Sequence, residues 1–371
     1  MNKKKKILFF HFDLQGGGAE KVLVNLLNHL NPDKYDITLR VVFGVGPYVE
    51  KIPSYVHYKP VFRFLFKGLP ALLKKIKGKW LYRLFVTGKY DIEIAYLETL
   101  PTRIISYSTN PDSRKLAWVH IEFTEQHKHS RSFRDINEAT SSYNHFDKIL
   151  FVSHGCKKAF FHYLPEVKTA SEVIYNVNDY ELISSLSKEE IPFILDHDVI
   201  NICSVGRLTS QKRFDRLINA MARLKKDGFK LHLYLLGEGE ERKELEEQIR
   251  RNSLEKEVTL LGFVANPYKY VAKMDLFVCS SEKEGYSTAV TEAVVLGVPV
   301  LTTDCSGMDE VLRNGDFGLI VKNDEDALYE GLKALLDEPR RIARYKERLK
   351  AEGEFTTQAF VDRYEELFDS L

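Results

Sequence analysis

The sequence lacks long apolar runs and has only four cysteines among its 371 residues. No segment approaches the about 18 consecutive apolar residues that a membrane-spanning helix needs, and the apolar run after the N-terminal lysines is too short for a secretion signal. The cysteines are too widely spaced for a CxxC pair or a zinc-binding motif; they are Cys156, Cys203, Cys279 and Cys305. We therefore expect reduced thiols and a cytoplasmic protein.

An excess of either charge is also missing. The chain has 54 Lys and Arg against 53 Asp and Glu, a formal net charge of +1, and 44% of its residues are hydrophobic. These values are typical of a globular protein and argue against a dedicated nucleic-acid binder. The balance is nevertheless an average, because residues 51–90 contain ten Lys or Arg and no Asp or Glu.

Short apolar runs alternate with amphipathic helical segments along both halves of the chain. The runs that we expect to form buried parallel strands are residues 6–12, 36–43, 91–97, 114–120, 148–154, 199–207, 230–239, 258–264, 276–281 and 298–303. This alternation predicts the α/β class, with two doubly wound domains at 1–176 and 199–354 and a linker at 177–198. The amphipathic segment 355–371 is either a surface helix or a helix that packs back onto the first domain.

Three consecutive glycines lie between the first predicted strand and the first predicted helix. Gly16, Gly17 and Gly18 allow close approach of the backbone, and the helix that follows offers free N–H groups to an anion. The same glycines are equally compatible with a tight turn. The spacing is not GxGxxG with an acidic partner about 20 residues later, which disfavours a dinucleotide-binding site.

Two further segments follow predicted strands of the second half. In GRLTSQKRF (206–214), Arg207 and Lys212 lie in a loop before a helix, where two cations suit a diphosphate; the alternative is a pair of solvated surface cations. In SSEKEGYSTAVTEAVVLG (280–297), Glu284 lies in the loop before a helix and Glu292 in the third turn of that helix. Two carboxylates on either side of a helix N-terminus suit a phosphate flanked by hydroxyl-bearing rings, although many surface helices carry such pairs.

These segments together resemble glycosyltransferase family 4, the retaining nucleotide-sugar transferases with the GT-B fold. The resemblance is carried by EGYSTAVTE (284–292), GRLTSQKRFD (206–215) and GGGAEKV (16–22), and it extends over nearly the whole chain. It implies two Rossmann-like domains that face a central cleft, with the C-terminal helix crossing back to the first domain. The sequence departs from the family at Val177, where the linker motif normally has glycine.

The resemblance also implies residue roles. Arg207 and Lys212 would neutralise the diphosphate of the donor, Glu284 would contact the transferred sugar, and Glu292 would contact the ribose. The implied donor-binding residues are Gly17, Gly18, Gly206, Arg207, Lys212, Phe263, Val264, Glu284, Gly285, Tyr286, Ser287, Thr288 and Glu292. The implied catalytic residues are His120, Arg207, Lys212 and Glu284.

Phe263 and Val264 would line the nucleobase pocket, and His120 would lie near the transferred sugar unless it is a capping or core-edge histidine. Asp13, Glu98 and Glu122 are further candidates for acceptor contacts.

We expect no cofactor and no essential metal ion. Metal-dependent transferases place a DxD motif at the end of a strand. The two DxD triplets of this chain are Asp196–Asp198, which precedes a strand, and Asp324–Asp326, which opens a helix. Turn and helix-capping roles fit both triplets better.

The basic stretch has its centre at residues 61–86, where Phe, Leu, Trp and Tyr are interleaved with Lys and Arg. We expect Gly68 and Pro70 to break it into two short helices. Basic amphipathic helices bind anionic membrane surfaces, so that a peripheral location at the inner face of the cell membrane is predicted. The alternative is an ordinary helical pair with lysines outward and aromatic residues in the core.

The sequence therefore predicts a retaining transferase that moves a sugar from a nucleotide donor, expected to be a UDP-sugar, to a glycan or lipid-linked acceptor in bacterial surface polysaccharide assembly. Two alternatives stay open. One is a nucleotide-sugar epimerase of the same fold, which needs a donor but no acceptor. The other is a non-catalytic partner subunit of a glycosylation complex.

Overall fold

The computed structural model describes residues 3–66, 68–125, 132–352 and 356–371. The chain divides into two compact units. Unit 1 comprises Met1–Asn178 and Thr357–Leu371, and unit 2 comprises Asp179–Thr356. In the described ranges, no helix combines the length and the hydropathy needed to cross a bilayer.

Unit 1 contains a seven-stranded sheet in the order β3-β2-β1-β4-β5-β6-β7, and all of its pairs are parallel. The strands are β1 (Lys5–His11), β2 (Tyr35–Phe43), β3 (His57–Phe62), β4 (Ile92–Ala95), β5 (Arg114–Val119), β6 (Lys148–Phe151) and β7 (Ser171–Val173). The helices are α1 (Gly18–His29), α2 (Leu69–Lys75), α3 (Gly78–Phe85), α4 (Leu100–Ile105), α5 (Ile136–Tyr143), α6 (His154–Tyr163) and α15 (Thr357–Ser370). Successive residues of central β1, Ile7 to Phe10, are fully buried, so that both faces of the sheet are covered.

Unit 2 contains a six-stranded parallel sheet in the order β10-β9-β8-β11-β12-β13. The strands are β8 (Ile200–Val205), β9 (Leu231–Leu236), β10 (Val258–Gly262), β11 (Leu276–Cys279), β12 (Val300–Thr303) and β13 (Gly318–Val321). The helices are α7 (Tyr180–Ser187), α8 (Phe214–Lys226), α9 (Arg242–Arg251), α10 (Tyr268–Val271), α11 (Thr288–Val295), α12 (Met308–Val311), α13 (Glu325–Asp337) and α14 (Pro339–Ala351). Neighbouring residues of β8 face opposite cores: Ile202 packs with Leu217 of α8, whereas Cys203 packs with Val290 of α11.

The predicted fold class is confirmed, since both sheets are parallel and each reverses its strand order beside its first strand. The sequence analysis missed β3, β7 and β13, which are all edge strands. None of the residues of β3 or β7 is fully buried, so these segments lack the continuous apolar run by which a central parallel strand is recognised.

The segment predicted as the linker, 177–198, contains α7, which begins after Asp179 because that side chain accepts a hydrogen bond from the backbone N–H of Leu182. One local expectation was wrong. Gly68 and Pro70 do not separate two helices. Gly68, at φ 84°, precedes α2, and Pro70 lies in the first turn, where its missing N–H removes no helical hydrogen bond. The break between α2 and α3 falls at 76–77, where the backbone is extended.

The C-terminal helix α15 packs on unit 1, as predicted, although Phe355 of the expected helix lies outside the described residues. The ring of Tyr364 stacks on Trp118 at 5.2 Å, and Phe368 meets Phe9 edge-on at 6.1 Å. Such aromatic pairs bury large apolar areas and fix the relative orientation of the elements that carry them. Helix α15 thereby covers part of one face of the unit 1 sheet.

A buried arginine connects three helices of unit 1. Arg103 of α4 is fully buried, and its Nε donates to Glu138 of α5 at 3.0 Å. Its two terminal nitrogens donate to the carbonyl oxygens of Leu73 and Ile76, at 3.1 and 2.9 Å. Both carbonyls lie at the C-terminal end of α2, where that of Leu73 also accepts from the backbone N–H of Ile76 at 3.1 Å. Arg103 therefore fixes the end of α2 against the body of unit 1.

We predict that Arg103→Met lowers the free energy of unfolding by about 3–5 kcal/mol, because it removes the guanidinium donors from the carbonyls of Leu73 and Ile76 and breaks the buried ion pair with Glu138. The control is Arg134→Met, which removes the half-exposed second partner of Glu138 and should destabilise the fold far less, because exposed ion pairs contribute little. Urea unfolding followed by tryptophan fluorescence measures both, since the two tryptophans, Trp80 and Trp118, lie in unit 1. Equal effects of the two substitutions would contradict this role of Arg103.

Candidate functional site

The polar residues of unit 2 that the sequence analysis assigned to the donor follow strands at the carboxyl edge of the sheet. The strand order reverses between β8 and β11, and ligands of open parallel sheets bind where this reversal separates neighbouring loops. The loop 206–213 follows β8, and the loop 280–287 follows β11. These two loops contain most of the residues that the sequence analysis assigned to the donor.

An ion pair joins the two loops. Lys212 Nζ donates to Oε1 of Glu284 at 2.6 Å, and only 21% and 11% of the two side chains are exposed. Burial lowers the pKa of Lys212, but the charge of Glu284 and the hydrogen bond to it outweigh this effect, so that the pKa of Lys212 lies above its ordinary value. Lys212 is therefore a protonated donor at neutral pH.

Arg207 differs from Lys212 in having no partner. Its side chain is exposed and, within the described ranges, forms no hydrogen bond or ion pair. Arg207 and Lys212 lie in the same loop, 206–213, and the charge of Arg207 works against the raised pKa of Lys212. Since Glu284 compensates Lys212, the guanidinium of Arg207 is the uncompensated positive charge of this edge, and its fork matches phosphate geometry.

Glycines allow the loop after β8 to approach the loop after β9. A Cβ atom on Gly237 would lie 1.9 Å from the carbonyl oxygen of Gly206, and one on Gly239 would lie 2.2 Å from that of Leu208. Side chains at 237 and 239 are thus excluded by backbone. The backbone N–H of Leu208 also donates to the carbonyl of Glu238 at 3.0 Å. The backbone on both sides of Arg207 is therefore held by close packing.

Helix α11 begins one residue after its cap, Ser287, whose hydroxyl accepts from the backbone N–H of Val290. Thr288 is its first residue, and Gly285 and Tyr286 connect the cap to Glu284. Glu292 is buried in the second turn, not in the third as predicted, because the cap delays the helix. The two carboxylates do lie on either side of the α11 N-terminus along the chain.

Phe263 and Val264 follow β10 at the same edge of the sheet. The Phe263 side chain is 73% exposed, whereas Val264 is half-buried and packs against the unit 2 core. An aromatic ring this exposed is uncommon in a folded domain, and it offers an apolar face to a ligand.

The glycine loop of unit 1 differs from the phosphate cradle that the sequence suggested. Only Gly16 has positive φ, at 110°, while Gly17 is the extended N-cap of α1 and Gly18 is the first helical residue. A Cβ atom on Gly17 would lie 2.3 Å from Oε2 of Glu20. A carboxylate therefore already lies beside the α1 N-terminus, and its charge opposes an anion there.

His120 and Glu98 lie together at the carboxyl edge of the unit 1 sheet. The backbone N–H of His120 donates to Glu98 Oε2 at 2.9 Å. Burial raises the pKa of Glu98 to about 7, helped by Glu20 and opposed by backbone hydrogen bonds. Burial, together with the charge of His11, lowers the pKa of His120 to about 3. His120 is thus neutral at pH 7 and suited to bond a hydroxyl without adding charge.

The sequence analysis missed His11, which ends β1 and is fully buried. Its Nδ1 lies 2.7 Å from the carbonyl oxygen of Asp13. A carbonyl only accepts, so Nδ1 carries a hydrogen, and Nε2 finds no partner in the described structure. The available signal was its place at a strand end, on the same sheet edge as His120.

Two further candidates for acceptor contacts are Asp13 and Glu122. Asp13 is buried and accepts hydrogen bonds from the backbone and side chain of Gln15, at 3.1 and 3.0 Å, which makes it a loop-forming residue. Glu122 is half-buried two residues after His120.

The two DxD triplets have local structural roles. Asp196 accepts from the backbone N–H of Asp198 at 2.9 Å, and Asp324 caps α13 through the N–H of Ala327 at 2.8 Å. Among the residues that the structure describes, no three His, Cys, Asp or Glu side chains are grouped to hold a metal ion.

We predict that Glu98 makes stability fall with rising pH. Its pKa is higher in the folded chain than the ordinary 4.5, so the folded state binds the proton more tightly and loses this advantage between about pH 5 and pH 8. Each pKa unit is worth about 1.4 kcal/mol. Relative to Glu98→Gln, the wild type should therefore lose about 2–3 kcal/mol over this range. Urea unfolding at both pH values measures the difference, and Glu50→Gln, at an exposed carboxyl, is the control; a constant difference would contradict the assignment.

Known proteins share both the sequence and the fold of this chain. The family described as Glycosyl transferases group 1 matches residues 187–352. The N-acetylgalactosamine-N,N'-diacetylbacillosaminyl-diphospho-undecaprenol 4-alpha-N-acetylgalactosaminyltransferase of Campylobacter jejuni is 31% identical over 364 residues, covering 93% of this chain and 94% of the relative. An O-antigen biosynthesis glycosyltransferase of Escherichia coli is 32% identical over 164 residues, 44% of this chain and 45% of the relative.

An Anabaena protein solved with UDP-glucose has the same fold, with a TM-score of 0.75, 21% identity, and coverage of 99% of this chain and 100% of that one. The Campylobacter relative matches over nearly the full length of both chains, and the group 1 match includes the loops that bear Arg207, Lys212 and Glu284. The chain therefore belongs to the family of group 1 glycosyl transferases and is a glycosyltransferase.

Proposed function

We propose that the protein transfers a sugar from a UDP-sugar, with retention of configuration, to a glycan or lipid-linked saccharide in bacterial surface polysaccharide assembly. The observation that carries the proposal is the exposed Arg207 beside the Lys212–Glu284 ion pair at the carboxyl edge of the unit 2 sheet. The Campylobacter relative is named for a diphospho-undecaprenol acceptor, and the Anabaena protein was solved with UDP-glucose; both support it. Retention rests on the resemblance to family 4.

The charges of this edge suit the departure of a nucleoside diphosphate. When the bond between the sugar and UDP breaks, negative charge develops on the leaving phosphate, and preorganised donors stabilise it. Arg207 supplies an uncompensated charge, whereas Lys212 supplies donors whose charge Glu284 already balances. Glu284 and Glu292 accept hydrogen bonds from the hydroxyls of the sugar and the ribose. With two cations present, we propose that turnover needs no essential metal ion.

We also propose that residues 61–86 bind an anionic membrane surface peripherally. In the described structure, six of the nine exposed large hydrophobic side chains lie in this stretch: Phe64, Leu65, Phe66, Leu72, Trp80 and Leu84. The exposed cations among them are Arg63, Lys75, Lys77, Lys79 and Arg83, and Lys67 lies outside the described residues. An ordinary helical pair would bury its aromatic residues. Exposed apolar side chains with flanking cations instead match the interface of an anionic bilayer.

We predict that Arg207→Met and Lys212→Met each lower the rate of UDP release by about 100-fold, because each removes a donor to the leaving phosphate. Glu292→Gln should weaken UDP binding. The assay uses UDP-glucose, UDP-galactose and their N-acetylated forms with undecaprenyl-diphosphate-linked saccharides, with and without EDTA. Arg223→Met, at a half-exposed cation paired with Asp326, is the control.

Unchanged kinetics in both Arg207→Met and Lys212→Met would refute the donor site. Conversion of the donor sugar without any acceptor would favour the epimerase, and loss of all turnover when EDTA is added would show a metal requirement.

We predict that the protein floats with vesicles containing phosphatidylglycerol but not with neutral ones. Replacing Lys74, Lys75, Lys77 and Lys79 by Ser should reduce binding at least tenfold, because each cation near the surface contributes about 1 kcal/mol. Replacing Phe64, Phe66 and Trp80 by Ser should also reduce it. The matched control removes four exposed lysines of unit 2, namely Lys243, Lys256, Lys322 and Lys350. An equal loss of vesicle binding in the control would show that only net charge matters. Failure of the wild type to float with anionic vesicles would refute membrane binding by residues 61–86.

A further inference from the structure

One oxygen of Glu284 is already saturated. Its Oε1 accepts from Lys212 Nζ and from the hydroxyl of Ser281, each at 2.6 Å. A carboxylate oxygen has two lone-pair directions, and both are used. Its Oε2 forms no hydrogen bond with any described residue and is not among the enclosed polar atoms. A substrate hydroxyl therefore meets Glu284 at Oε2 alone.

Several hydrogen bonds fix the position of Ser281. It is 1% exposed, and its carbonyl oxygen accepts from Thr303 Oγ1 at 2.6 Å and from Cys305 Sγ at 3.2 Å. The thiol of Cys279 lies 3.5 Å from its hydroxyl and donates to it. A serine hydroxyl has a single hydrogen, and here that hydrogen is committed to Glu284. The Ser281 hydroxyl is therefore a fixed donor.

We propose that Ser281 is a positioning residue for recognition of the donor sugar. Lys212 has a long, flexible stem and three donors, so it pairs equally well with either oxygen of Glu284. The short Ser281 side chain fixes which oxygen faces Lys212 and so keeps Oε2 directed at the sugar. This inference rests on the proposed function, in which Glu284 contacts the transferred sugar. Its consequence is that Ser281 affects binding of a UDP-sugar but not of UDP.

The test compares the affinities of UDP and of the four UDP-sugars named above by isothermal titration calorimetry. In Ser281→Ala, UDP should bind within twofold of the wild type, and the donor sugar nucleotide about tenfold more weakly. Glu284→Gln should also change the ratio of the UDP affinity to the UDP-sugar affinity. The matched control is Ser280→Ala, which deletes an equally buried hydroxyl that donates to the backbone carbonyl of Lys212 at 2.8 Å, and it should leave the ratio unchanged. Ser281→Cys keeps the volume but donates weakly, so its ratio should be intermediate.

The outcomes separate this inference from the proposed function. A changed ratio in Glu284→Gln with an unchanged ratio in Ser281→Ala would overturn the role of Ser281 and leave the donor site intact. An equal loss of UDP and UDP-sugar affinity in Ser281→Ala would indicate a purely structural hydroxyl and also overturn it. If Ser281→Ala fails to fold, Ser281→Cys decides by the same ratio. No binding of any UDP-sugar by the wild type would refute the proposed function and this inference with it.

Discussion

Burial of each parallel sheet on both faces is the constraint on which the placement of function depends. The side chains of the central strands pack into the two cores, as those of Ile202 and Cys203 do in unit 2. Polar side chains that can bind a ligand therefore lie at the ends of the strands. Parallel strands end at one edge, which brings together loops that are distant in sequence. The contact between Lys212 and Glu284, 72 residues apart, is the direct result.

The two units differ in the charge of the side chains at these sheet edges. Unit 2 presents cations, with Lys212 balanced by Glu284 and Arg207 left uncompensated, which favours an anion. Unit 1 presents groups whose charge is reduced by burial: a pKa of about 3 leaves His120 neutral, and a pKa of about 7 leaves Glu98 only partly ionised at pH 7. Neutral groups bond hydroxyls without attracting a counter-ion. Positive charge is therefore concentrated at the sheet edge of unit 2, whereas the groups at the edge of unit 1 are suited to hydrogen bonds with hydroxyls.

The sequence was sufficient for features that depend on local pattern. Strand–helix alternation predicted both sheets, and the glycine and charge spacing located the loops that carry Arg207 and Glu284. Features set by tertiary contact escaped it. The edge strands β3 and β7 lack the apolar run of a central strand, and the position of Glu292 within α11 depends on a cap at Ser287. Nothing in the sequence distinguishes Ser281 from other serines, because its importance lies in which oxygen it contacts.

The buried Arg103 supports the segment that we propose binds the membrane. Exposing Trp80 and Leu84 to water is unfavourable, so the segment that displays them needs support from elsewhere in unit 1. Arg103 supplies it by bonding the carbonyls of Leu73 and Ile76, at the junction of α2 and α3. A guanidinium is expensive to bury, but its fork satisfies two carbonyls and a carboxylate at once. A rigid base of this kind lets the segment present its apolar side chains outward instead of collapsing them onto the core.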